Sequence, residues 1–215
     1  GESSGWPRVV QTAIQDLTPL LVGEDPFHIE KLWQKTFLAM MGHGMTGIVG
    51  SAAMTGIEIA LWDIKGKALN VPVWNLLGGK IRDHVRTYAH ARTAEQAREL
   101  VDRGYNALKT GGVENAANNV SAIRKEVGLD VDIMVDIHGP PWLTTRDAIR
   151  MGQALEEYEL LFYEDPVPPE NVEALARVAS SVNIPIAVGE RHTHIYGVRE
   201  LIEREIVDVV QPDTG

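Results

Sequence analysis

The sequence predicts an α/β chain whose larger part is a (β/α)8-type barrel, incomplete here at about six strands. Three observations carry this. From residue 84, short apolar runs recur at 84–91, 106–110, 132–138, 161–166, 185–190 and 208–214, and helical stretches alternate with them at 93–104, 114–128, 144–159, 170–182 and 194–206. Strand alternating with helix implies βαβ units and a parallel sheet. The runs start roughly 22–29 residues apart, close to the ~31 per unit of a ~250-residue barrel. Polar residues close four different runs at their C-terminal ends; a barrel gathers such ends into one ring, whereas an open doubly wound sheet uses two or three strands at a switch point.

The order of elements divides the chain at 1–83 and 84–215. Residues 1–83 read as helical. "VVQTAIQDLTPLLVG" (9–23) has apolar residues at helical spacing and stops at Gly23. "EDPFHIEKLWQKTFLAMMG" (24–42) places Asp25 at an N-cap and Pro26 at the first helical position. The next segment begins as one long helix. Gly50, Ser51, Ala52, Ala53 and Gly56 permit close packing, and Asn70 with Pro72 ends it. Trp33, Trp62 and Trp74 are expected in packing, and His43 is a candidate to reach a site from the helical part.

Composition excludes several functions. The chain has 215 residues, 44% of them hydrophobic, enough for a sizeable core. A net charge of −10 argues against nucleic acid, which needs clustered Lys and Arg. It leaves room for an acidic small molecule, since a divalent cation inverts the local sign. No cysteine is present, so disulfides and thiolate metal sites are excluded. No apolar run approaches the ~18 residues of a membrane span, and the N-terminus carries no secretory signal. A soluble cytoplasmic protein, homo-oligomeric, with a small-molecule substrate and no membrane or nucleic-acid partner, is the expectation.

The chemistry lies at the strand ends. In "DVDIMVDIHGPPW" (130–142), alternation puts Asp132, Met134, Asp136 and His138 on one face. "LFYEDP" carries Glu164 and "IAVGE" ends in Glu190. Pointed at one axis, Asp136, Glu164 and Glu190 make a hard oxygen site suited to Mg2+. His138, two residues beyond Asp136, is a candidate active-site imidazole. His192 and His194 follow Glu190 in the loop above the site and are candidates to touch substrate. Arg191 can pair a substrate carboxylate or a neighbouring acid.

These motifs carry a resemblance. "ALWDIKGKALNVPVWNLLGG" (60–79) resembles the helix before the barrel in the enolase superfamily. The strand ends "VDIHG", "YEDP", "GER" and "QPD" are similar to those of the mandelate racemase subgroup, and within it to acid-sugar dehydratases of the D-galactonate dehydratase type. The resemblance implies that residues 1–83 are the helical part of a capping domain. It implies that Asp136, Glu164 and Glu190 are Mg2+ ligands and that His138 is the general acid assisting a departing hydroxide. Asp213 matches the carboxylate that orients a seventh-strand histidine, the base toward the α-proton. Many relatives have Lys-x-Lys at the end of the second strand; here Lys109 is followed by Thr110 and Gly111, so Lys109 is left at most a substrate-binding role.

The expected activity is that of a hydro-lyase: Mg2+-dependent dehydration of a sugar acid to a 2-keto-3-deoxy acid. The alternatives are a racemase or epimerase on the same scaffold and a non-catalytic metal-binding relative. Relatives begin with a three-stranded sheet, whose tail "GESSGWPR" resembles, and the chain ends at Gly215 after the sixth run. The 215 residues alone are therefore expected to be incomplete and to lack the base and turnover.

Overall fold

The computed structural model describes residues 3, 5–44 and 47–213. They fall into two compact units, one running to Val85 and taking in Asp213, the other Arg86–Pro212.

The first unit is helical: α1 (Pro7–Leu21), α2 (Ile29–Gly42), α3 (Ile48–Leu69) and the single turn α4 (Val73–Leu76). Val10, Ala13 and Leu17 repeat at helical spacing and form one buried face of α1. They pack with Met40 of α2 and with Ala52, Ala53 and Met54 of α3. Trp33 sits at the edge of this core, stacked on Phe37 with ring centroids 4.9 Å apart. Trp62 donates to Glu58 at 3.2 Å, whereas Trp74 is exposed rather than packed. His43 is an exposed residue at the end of α2.

α3 ends as expected, with Asn70 in the left-handed region at φ 53°. The start of α2 differs from expectation. Asp25 accepts from the Phe27 N–H at 2.9 Å and closes a turn, so the helix begins four residues later, at Ile29. A short side chain that bonds its own backbone two residues on makes an Asx turn in preference to a cap.

The second unit carries the sheet. In order it contains β1 (Ala89–His90), α5 (Ala94–Asp102), β2 (Ala107–Gly111), α6 (Ala116–Val127), β3 (Asp132–Asp136), α7 (Thr145–Leu155), β4 (Phe162–Glu164), α8 (Val172–Ala179), β5 (Ile186–Val188), α9 (His194–Glu203) and β6 (Val209–Val210). All the strand pairs are parallel, and the spatial order is β1-β2-β3-β4-β5-β6. This order never reverses, so the sheet has no switch point. It is the winding of a barrel, present here over six strands with β1 and β6 at the edges. The strands are shorter than their apolar runs, and Thr214 of the sixth run lies outside the described residues.

Alternation sorts the strand residues. Leu108, Ile133, Val135, Ile137, Tyr163, Ile186 and Val188 face the helices and join Val120, Ile123 and Leu155 in the main core. Ala107, Met134, Phe162 and Ala187 form a separate small cluster on the other face, which is the barrel interior. Local signals fix the helix starts. The side chains of Thr93, Thr144 and Asn171 accept from backbone N–H groups of Gln96, Asp147 and Ala174. Arg86 closes the lower end by pairing with Asp132 and with Asn106.

Candidate active site

Asp136 and Glu164 stand in register on neighbouring strands, one layer above Met134 and Phe162. The interior face that buries those apolar residues therefore also buries the two carboxylates, with Glu164 1% exposed. Lys109 starts one layer lower, in register with Met134, and its stem climbs along the interior. Its Nζ lies 2.9 Å from Asp136 Oδ2 and 2.7 Å from Glu164 Oε2. The Tyr88 ring lies 6.0 Å from the same nitrogen.

This trio sets its own protonation. Burial disfavours the Lys109 ammonium, but the hydrogen bonds and charges of Glu164 and Asp136 outweigh it and hold its pKa above the usual lysine value. Burial also acts against the Asp136 carboxylate; Lys109 and then His138 overcome it, and its pKa lies below the usual range. Glu164 goes the other way. Burial pushes it up, the Asp136 charge adds to this, and the Lys109 ammonium and a Gln211 hydrogen bond do not compensate. The ammonium is shared between two acids, so the more deeply buried one gains less than it loses.

His138 is brought to the same place. Its Nδ1 lies 2.6 Å from Asp136 Oδ1, and its side chain is 41% exposed. The bond to a carboxylate assigns a proton to Nδ1 and leaves Nε2 as the reactive atom. Glu190 Oε1 is 3.9 Å from His138 Nδ1, at the rim of the cluster. Glu190 lies in the turn after β5 rather than on the strand, so strand alternation does not aim it.

Arg191 engages Glu190. Its Nη2 is 3.0 Å from Glu190 Oε1 and its Nε is 3.1 Å from Asp165 Oδ2, while the guanidinium lies 5.2 Å from the Trp142 ring centroid. Of the two partners expected for Arg191, the structure supplies neighbouring acids. Asp165 is buried, at φ 45°, and burial raises its pKa from 3.8 to about 6 despite the Arg191 charge. In the sequence, Asp165 is only a second acid beside Glu164 and Trp142 only an aromatic four residues after His138, with no motif of their own to mark them.

The remaining candidates lie apart from this cluster or beside it. His192 is half-buried with Nδ1 lacking a hydrogen-bond partner, and burial lowers its pKa. His194 begins α9 at φ 60°. Asp213 is exposed, beyond the end of β6.

The donor set fits a hard cation in part. Asp136 and Glu164 offer only oxygens and already clasp one cation, the Lys109 ammonium, at hydrogen-bond distance. Glu190 is turned toward Arg191, and among the described residues no three His, Asp or Glu side chains are gathered at one point. The three carboxylates expected as a ready ligand set thus appear as a pair and a neighbour.

The fold and the strand-end set define an enolase-like barrel domain preceded by a helical domain. Residues 92–215 match the model described as "Enolase C-terminal domain-like", and residues 1–78 match "Mandelate racemase / muconate lactonizing enzyme, N-terminal domain". The chain belongs to the mandelate racemase/muconate lactonizing enzyme group of the enolase superfamily. It is 34% identical to "D-galactonate dehydratase family member RspA" of Cellvibrio japonicus, over 97% of this chain and 61% of the relative. It is 36% identical to D-xylonate dehydratase of Haloferax volcanii, over 97% of this chain and 57% of that one. The crystal structure of 3,6-anhydro-D-galactonate cycloisomerase from Zobellia galactanivorans superposes with a TM-score of 0.91 at 33% identity, covering 99% of this chain and 62% of that one. The chain thus spans about three fifths of the length of the curated relatives it matches. Among the described residues no helix is long and apolar enough to cross a membrane.

Proposed function

We propose that this chain is part of a Mg2+-dependent sugar-acid dehydratase, a hydro-lyase. The observation that carries the reading is a partly exposed imidazole, His138, hydrogen-bonded to one of two buried carboxylates at adjacent strand ends. The dehydratase names of the relatives support the substrate class.

In this reading Asp136, Glu164 and Glu190 would hold Mg2+ through their carboxylate oxygens. The bound cation would supply positive charge to the substrate carboxylate as the adjacent C–H proton is lost. Asp213 orients the histidine that accepts that proton. His138 delivers a proton from Nε2 to the departing 3-hydroxyl, since hydroxide is a poor leaving group and an imidazole suits the transfer. Asp136 holds the His138 ring through Nδ1 while this happens. Arg191, His192 and His194 follow Glu190 and are the candidate substrate contacts in this reading. The product is a 2-keto-3-deoxy acid.

The test is an assay of the natural gene product against a panel of aldonate salts, with and without Mg2+. Release of 2-keto acid that requires Mg2+ is the expected result. Inversion at the α-carbon without 2-keto acid would assign a racemase or epimerase instead. Mg2+ binding with no conversion across the panel would assign a binding relative.

A further inference from the structure

His138 stands just beyond β3, at the head of a short loop with little backbone to hold it. The Ile137 N–H still donates to the Glu164 carbonyl oxygen at 3.1 Å. After that, the His138 N–H reaches only the Asp136 side chain, at 3.3 Å, and Pro140 and Pro141 have no N–H to give. At the far end Leu143 packs against the main core. Between these points lies Trp142. Its ring lies against Gly139, so close that a Cβ there would be 2.8 Å from Trp142 Cγ. The same ring has its centroid 5.2 Å from the Arg191 guanidinium, which donates through Nε to Asp165 Oδ2 at 3.1 Å. Asp165 is buried, and its backbone N–H donates to the Ala187 carbonyl oxygen of β5.

We propose that Trp142 is a positioning residue for His138: held between Gly139 and the Arg191 guanidinium, it ties the loop after β3 to the ends of β4 and β5 and so fixes where the imidazole stands. This rests on the dehydratase reading given above, in which His138 delivers a proton. The geometry supports it on three counts. A cation within ~6 Å of an aromatic ring is attracted to its face, and a planar guanidinium can stack there as an ammonium cannot. Asp165 takes an N–H at the edge of that plane, which leaves the face to the ring. Asp165 follows β4 and Arg191 lies in the turn after β5, so neither anchor belongs to the loop it holds. Gly139 is the residue next to His138, and the ring fills the space a side chain at 139 would need, which confines the backbone beside the imidazole. A shift of ~1 Å at a reacting group can cost ~10²-fold in rate, so a loop with few bonds of its own needs such a tie. Trp142 acts through His138 and need not touch the reacting atoms.

The experiment uses the natural gene product and its Trp142→Ala and Trp142→Phe variants, each also made in a His138→Asn background. Steady-state rates on the aldonate that wild type converts are measured together with amide hydrogen exchange of peptides covering 137–143. Trp142→Ala should lower kcat by roughly 10–100-fold with KM nearly unchanged. Trp142→Phe still offers a ring face and should lose less. In the His138→Asn background Trp142→Ala should cost little more, because the group it places is already gone. Amides of 137–143 should exchange faster in Trp142→Ala than in wild type. An undiminished kcat, whatever happens to KM, overturns the proposal, and so does an equal fold-loss in both backgrounds. If Trp142→Ala does not fold, Trp142→Leu is read in the same way, and failure of both overturns the proposal. Where His138→Asn leaves no measurable rate, exchange decides: faster exchange supports the tie and unchanged exchange overturns it. If wild type itself converts no aldonate, the dehydratase reading falls, and exchange judges the tie in the same way.

Discussion

Gly111 of β2 stands opposite Asp136 of β3, so close that a Cβ at position 111 would lie 2.6 Å from the Asp136 carbonyl oxygen. This is backbone against side chain, so neither partner can swing away. The departure from Lys-x-Lys at this position is therefore built into how β2 and β3 pair, and a lysine here could not simply be restored.

Gly111→Ala should lower unfolding stability by about 1–3 kcal/mol, the cost of forcing atoms into a closed contact. Chemical denaturation checks this. Gly111→Lys should be less stable still and should not add a second base. An alanine variant as stable as wild type would mean that β2 and β3 separate more easily than their register suggests.

His138→Asn in the natural gene product should reduce dehydration by ~10²–10⁴-fold, the usual loss of a general acid. Mg2+ affinity should stay nearly unchanged, because His138 holds Asp136 without belonging to the oxygen set. Steady-state rates and a metal titration on the same sample give the answer. Undiminished turnover removes His138 from the mechanism.

Arg191→Met should act through Asp165, and its cost should depend on pH. In the folded chain Asp165 holds its proton up to about 6, above the ordinary 3.8. The folded state thus binds the proton more readily than the unfolded chain, and stability falls as pH rises from about 4 to about 6. Removing the guanidinium raises the folded value further, which steepens this fall and extends it upward. The variant should lose about 1–3 kcal/mol at pH 8, the cost of a buried acid without its partner, and almost nothing near pH 4. Denaturation at both pH values decides; a loss that does not vary with pH would show that Arg191 supports the fold by packing on Trp142 instead.

Leu155→Ala, in the core between helices and sheet, should cost 2–5 kcal/mol, as expected for a fully buried leucine. Mn2+ affinity of the folded variant should match wild type, since Leu155 faces away from the carboxylates. A large affinity change would couple the two faces of the sheet.

The parts of this molecule that follow short-range rules were legible in the sequence. Period-two alternation put Met134, Asp136 and His138 together, and the structure has Met134 and Asp136 inside and His138 against Asp136. Apolar runs located all six strands, and the polar ends of those runs favoured a barrel over an open sheet, as the unreversed strand order bears out. What alternation does not reach was missed. Lys109 and Glu164 are 55 residues apart, and nothing local to either names the other. Glu190 sits past the end of β5, where backbone turns and not pleat direct the side chain. Asp25 could serve as a cap or as an Asx turn, and the bond it accepts from the Phe27 N–H shows the turn is taken.

The unbroken parallel winding has one more effect. Each helix that follows a strand must run back against it, so α5, α6, α7, α8 and α9 all begin at the end of the sheet where Asp136, Glu164, Asp165 and Glu190 are crowded. The amide dipoles of a helix leave about half a positive charge at its N-terminus, felt within the first turn. Five such ends leave fractional positive charge on the same side of the sheet as these acids. Unlike a side-chain cation, those partial charges cannot titrate or swing away, because they belong to the backbone.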